Sequence, residues 1–94
     1  MTASQAEQAE TQVDDPDTIP MLRHQIDSLD TAIAHLVAER TKLSRRIQTA
    51  RMNAGGTRVE LGRERVVLDA YRRMLGPDGA QLGEALLRVC RGAR

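Results

Sequence analysis

Arg40 and Arg51 stand 11 residues apart in a stretch of helical periodicity. That is close to three full turns, so both side chains leave the same face about 16.5 Å apart along the axis. Extended guanidinium arms of roughly 6 Å each can close on one small dianion between them. Glu60 and Glu64 form an i, i+4 pair of like charges, which costs about 0.2–0.5 kcal/mol unless a cation or a donor sits between them. Arg63 lies beside Glu64. Arginines gathered with carboxylates, and no nucleophile, suit a reaction that needs neither proton abstraction nor a covalent intermediate. Such a site holds a dicarboxylate in one conformation and places positive charge where negative charge develops.

Arg23 is 17 residues before Arg40, which turns it about 100° round the helix. It cannot easily join Arg40 within one straight helix, but Arg23 of a second, antiparallel copy can. Other chemistries find no seat. The chain has no Gly-x-Ser-x-Gly, no P-loop and no dinucleotide fingerprint. His24 and His35 share nearly one face but lack a third ligand at usable spacing, so they read as solvated or packed histidines. Cys90 is alone and reads as a small buried residue rather than a nucleophile. No metal or cofactor is implied.

The element that must position these residues runs from Pro20 to Asn53. Leu22, Ile26, Leu29, Ile33, Leu36, Arg40, Leu43, Ile47 and Ala50 alternate spacings of four and three without a slip. That is a heptad seam on one long helix, about 51 Å from end to end. A compact body of this size should be only about 30 Å across. The residues after Gly56 cannot cover such a helix alone, and self-association is the simplest remedy. Arg40 occupies a seam position where a leucine belongs, a break in the pattern that points to an anionic partner.

Charge is unevenly spread. Five acids and no bases fall in the first 17 residues; the remainder then holds 14 bases against 8 of the 13 acids, a net of +6. Thirteen of the 14 bases are arginine, the residue for bidentate contacts to carboxylate or phosphate. With no Trp or Phe and one Tyr, there is little on which to stack nucleobases. No run approaches the length of a membrane span and no secretory signal is evident, so a cytoplasmic protein is expected.

In chain order, residues 1–17 are polar and acidic and are expected to be disordered, followed by one domain over 18–94. Asp17 or Thr18 can cap the long helix, with Pro20 in its first turn, and Gly55-Gly56 ends it. A second helix is expected from about Glu60 to Met74, with Val67, Ala70, Tyr71 and Met74 inward. Gly76-Pro77-Asp78-Gly79 is a turn. A third helix follows, with Leu82, Ala85, Leu86, Val89 and Cys90 inward. No convincing strand appears, so the fold class is all-α: one very long helix and two short ones. Arg45, Arg46, Arg72 and Arg73 read as a solvated face.

The chain resembles the all-helical, type II chorismate mutases. The resemblance covers residues 21 to 92 and rests on Leu22 to Asp30, Ala38-Glu39-Arg40, Ala50-Arg51-Met52 and Arg63-Glu64, in that order and spacing. Gly55-Gly56-Thr57-Arg58 and Gly76-Pro77-Asp78-Gly79 further resemble a short intracellular subclass. The resemblance implies an intertwined homodimer and the Claisen rearrangement of chorismate to prephenate, on the way to phenylalanine and tyrosine. It matches Arg23 to an arginine reaching into the neighbouring protomer's site, and Arg40 to the one binding a substrate carboxylate. Arg51 matches the cation at the ether oxygen, often a lysine. Glu60 and Glu64 match carboxylate positions around the ring hydroxyl, and Arg63 a supporting arginine. Arg51, Arg40 and Glu64 are the catalytic candidates; all six are substrate-binding candidates.

Two departures carry consequences. Longer members supply a glutamine from the last helix to the ether oxygen, and here Leu87 to Arg94 contains none. Short members share this lack and are poor catalysts until a DAHP synthase docks, so an activating complex with that enzyme is implied. Glu60 is the second departure, since close short-subclass sequences can be apolar there. Two glutamates facing the ring substituent would also suit an amine, which leaves a 4-amino-4-deoxychorismate mutase as an alternative. Outside the resemblance, a basic helical nucleic-acid-binding dimer is the rival from another class, and a regulatory subunit without catalysis is a third reading.

Overall fold

A computed structural model describes residues 15–57 and 59–92. Most of the acidic segment expected to be disordered lies outside the described residues, as do Arg58 and the last two positions. The described residues are all helical or connecting, with no strand among them: a 3-10 turn over Pro16–Thr18, then α1 (Ile19–Asn53), α2 (Leu61–Leu75) and α3 (Gly79–Arg91). The chain divides into two compact units, the first ending at Ala32 and the second starting at Ile33. Among the described residues no helix is long and apolar enough to cross a membrane.

In the first unit, α1 starts differently from the expected cap at Asp17 or Thr18. Asp15 is extended, and its carboxylate accepts from the Asp17 N–H at 2.9 Å. The carbonyl of Asp15 takes both the N–H and the hydroxyl of Thr18, at 2.9 and 2.6 Å. One aspartate thus satisfies two of the N–H donors that a helix start leaves open. The 3-10 turn carries Pro16 in its first positions, where its missing N–H costs nothing, and α1 follows directly.

In the second unit, α1 ends on Gly55 at φ +85°. The Gly56 N–H reaches back to the Arg51 carbonyl at 2.7 Å and the Gly55 N–H to that of Met52 at 3.0 Å. This is the Schellman closure, which needs a left-handed residue where Gly55 stands. α2 and α3 then pack against one another very closely. A Cβ on Gly79 would lie 2.2 Å from the Tyr71 carbonyl oxygen, and one on Gly83 would lie 3.2 Å from Leu68 Cδ2. Two glycines four apart therefore make the flat face on which α3 meets α2.

That face differs from the expected one. Gly79, Gly83 and Cys90 are the buried residues of α3, while Leu82 and Val89 are exposed. On α2, Val67 is buried and Met74 is exposed. Apolar periodicity does not count glycine, so it set the inner face of α3 slightly round from where close backbone approach sets it. Among the described residues, the buried hydrophobic side chains are Val67 and Cys90. The seam of α1 stays open to solvent: Leu29 is 63% and Leu36 69% exposed.

Candidate active site

A cavity of about 260 Å³ lies in the second unit and is walled by α1, α2 and α3. Arg40, Arg51, Glu60, Arg63 and Glu64 all line it, so five of the six expected site residues share one pocket. Arg23 is exposed on the part of α1 that belongs to the first unit and is not among the lining residues.

The end of α1 fixes Arg51 from several directions. Its carbonyl is held by Gly56, and its side chain fans out into the loop that follows. Nη1 donates to Glu60 Oε2 at 2.6 Å, Nη2 to the Thr57 hydroxyl at 3.1 Å, and Nε to the Thr57 carbonyl at 3.1 Å. Thr57 is itself fixed, because its hydroxyl donates to the Val59 carbonyl at 2.8 Å. Glu60 is the N-cap residue of α2, yet its side chain makes no cap hydrogen bond. Its carbonyl accepts from the Glu64 N–H while its carboxylate turns to Arg51. The like-charge pair read from the sequence is thus separated, each glutamate with its own guanidinium.

Glu64 is paired with Arg91, from the last turn of α3. This arginine was not among the sequence candidates, although helical spacing places it on the face of Leu87 (i, i+4). Arg40, the seam exception, is half-buried and donates from Nη1 to Cys90 Sγ at 3.1 Å. The Thr41 hydroxyl lies 3.4 Å from the same sulfur. Ser44 and Gln48 also line the pocket. They continue a polar stripe from Arg40 at i+4 and i+8 towards Arg51 at i+11, a signal the sequence carried beside the seam.

Four arginines (40, 51, 63 and 91) and two glutamates (60 and 64) therefore face the cavity, a formal excess of two positive charges. With every carboxylate matched, the surplus suits a guest carrying two negative charges.

The family model for chorismate mutase type II matches residues 22–90. The chain belongs to the type II chorismate mutases. It is 45% identical over 71 residues to the intracellular chorismate mutase of Mycolicibacterium smegmatis, covering 76% of this chain and 68% of that one. To the intracellular chorismate mutase of Mycobacterium tuberculosis it is 47% identical over 74 residues, covering 79% and 70%. Among solved structures it is similar, at a TM-score of 0.78 and 37% identity, to a chain in the non-covalent complex of DAHP synthase and chorismate mutase from Corynebacterium glutamicum with bound transition state analog. That match covers 83% of this chain and 94% of the other. The activity is accordingly that of a chorismate mutase, an isomerase. The matched residues 22–90 include part of each of the three helices that wall the cavity.

Proposed function

We propose that the arginine-lined cavity is where chorismate is bound and rearranged to prephenate. Arg40 anchors a substrate carboxylate, and Arg51 stands at the ether oxygen of the breaking bond. Glu64 and Glu60 lie towards the ring hydroxyl, and Arg63 supports the carboxylate end. The rearrangement is unimolecular. The pocket therefore acts by holding the reactive conformer and by placing a fixed guanidinium where the ether oxygen gains charge. The observation that carries this reading is the surplus of two positive charges around a cavity lined by both Arg40 and Arg51.

The working unit in this reading is an intertwined homodimer in which Arg23 of the second copy completes each site. A row of apolar side chains on α1 that is more than half exposed in the single chain supports it. Subunit mixing tests the shared site. Arg23→Ala and Arg40→Ala homodimers are each expected to be nearly inactive. Unfolded and refolded together, they form heterodimers that hold one intact site. Activity then returns to about a quarter of wild type, given random pairing. If mixing restores nothing, Arg23 acts within its own chain or not at all.

A DAHP synthase is the partner in this reading, because the similar Corynebacterium glutamicum chain is found in a complex with one. Docking of the synthase would raise turnover by shifting the pocket towards its binding-competent arrangement. Residues 18–94 form the mutase domain, residues 1–17 are an acidic segment outside it, and the setting is cytoplasmic.

A further inference from the structure

Cys90 is 1% exposed, the fully buried side chain among the described residues, and yet it lines the cavity beside Arg40. Its sulfur accepts from Nη1 of Arg40 at 3.1 Å and lies 3.4 Å from the Thr41 hydroxyl, which donates its own proton to the Val37 carbonyl at 2.9 Å and so is placed to accept from the thiol. No carboxylate pairs with Arg40 among the described residues, in contrast to Arg51 and Arg91. Its contact with Cys90 is the one side-chain hydrogen bond that Arg40 makes there. A four-bond side chain with a single tether would otherwise sample several rotamers at the cavity wall, and fixing one of them costs entropy whenever the guest binds. We propose that Cys90 is a positioning residue for the reaction: its thiol, oriented by Thr41, holds the Arg40 guanidinium ready to receive a carboxylate.

Sulfur suits this position better than a carboxylate would. A glutamate at Arg40 would neutralise the charge that a dianionic guest needs, whereas a thiol accepts a hydrogen bond without adding a full negative charge. Its position on α3 also ties the far end of that helix to α1, so the place of Arg40 depends on how the last turn of α3 is seated. The proposal rests on the reading of Arg40 as the carboxylate anchor.

The test compares Cys90→Ser, Cys90→Ala and Arg40→Lys in the full chain, reading kcat, KM and thermal midpoint. Serine keeps an acceptor towards Arg40 and should stay within about twofold of wild type in kcat/KM, since a hydroxyl accepts at least as well as a thiol. Alanine removes it and should lower kcat/KM about 3- to 10-fold, mostly through KM, as expected for an anchor that is loosened rather than lost. In the Arg40→Lys background, where the shorter arm cannot meet the sulfur, Cys90→Ala should add no further loss in kcat/KM. Equal losses for serine and alanine, or an alanine loss that persists with Arg40→Lys, would reduce Cys90 to a packing residue and overturn the proposal. An Arg40→Lys variant with wild-type kinetics would instead overturn the role of Arg40, whatever Cys90 does.

Discussion

Arg51 Nη1 and Glu60 Oε2 meet at 2.6 Å across the loop that joins α1 to α2. The arginine is the last cation of α1 and the glutamate is the N-cap residue of α2. One contact thereby couples the end of one helix, the start of the next and the wall of the cavity.

The first prediction follows from that contact. Glu60 is more than half exposed, at 58% of its side chain, so the pair should contribute no more than about 0.5 kcal/mol to stability. Its value lies in holding Arg51. Glu60→Ala should lower kcat/KM about tenfold by loosening a group that must be fixed before the reaction, while the unfolding midpoint barely moves. Glu60→Gln, which keeps an acceptor oxygen, should lose less. Faster turnover in Glu60→Ala would mean that Glu60 competes with the substrate for Arg51.

Substrate choice follows from the same pairing. With Glu60 engaged by Arg51 and Glu64 by Arg91, neither carboxylate is left without a cation to receive an ammonium. Chorismate should therefore be turned over at least about tenfold more efficiently than 4-amino-4-deoxychorismate. Assay of both substrates with the same enzyme preparation checks this, and parity between them would count against the pairing as drawn.

Packing of α2 on α3 makes a graded pair of stability predictions. A methyl at position 79 would meet the backbone oxygen of Tyr71 at 2.2 Å, and backbone cannot rotate aside. Gly79→Ala should destabilise by about 2 kcal/mol or more. At position 83 the nearest atoms are side-chain carbons of Leu68 and Tyr71 at 3.2 and 3.3 Å, which can shift. Alanine there also gains about 0.5–1 kcal/mol of helix propensity, so Gly83→Ala should be close to neutral. Denaturant midpoints of the two variants compare the effects directly.

Much of this was legible in the sequence because α1 obeys a strict period. A slipless heptad seam marks a long helix, and the one charged seam residue, Arg40, does line the cavity. The two short helices were legible from their turn residues. What was not legible depends on contacts between segments distant in the chain. Gly79 and Gly83 carry no apolar signal, so the inner face of α3 was set from Leu82 and Val89, which are exposed. Arg91 looks like one more surface arginine until Glu64, 27 residues earlier, is brought beside it. Cys90 read as a small packed residue. It is buried, but no spacing rule announces that its neighbour would be the guanidinium of Arg40.

The open seam gives a prediction about assembly. Leu36 is 69% exposed in the single chain, and on a free surface a polar substitution there should change stability by less than about 0.5 kcal/mol. If a second copy covers it, Leu36→Glu buries a charge at the interface and should dissociate the dimer. Sedimentation should then show a monomer, and chorismate turnover should fall with it. A variant that keeps both its mass and its activity would contradict the homodimer.

The most direct measurement is the loss of chorismate absorbance catalysed by wild type and by Arg51→Ala, each with and without added DAHP synthase, with dimer mass checked in parallel. Removing a charge placed at the developing oxyanion should lower kcat about 10²- to 10³-fold. The fall should appear both with and without the synthase, in a dimer that otherwise remains intact. An Arg51→Ala enzyme that turns over at the wild-type rate would show that the guanidinium at the end of α1 is not where the reaction is helped.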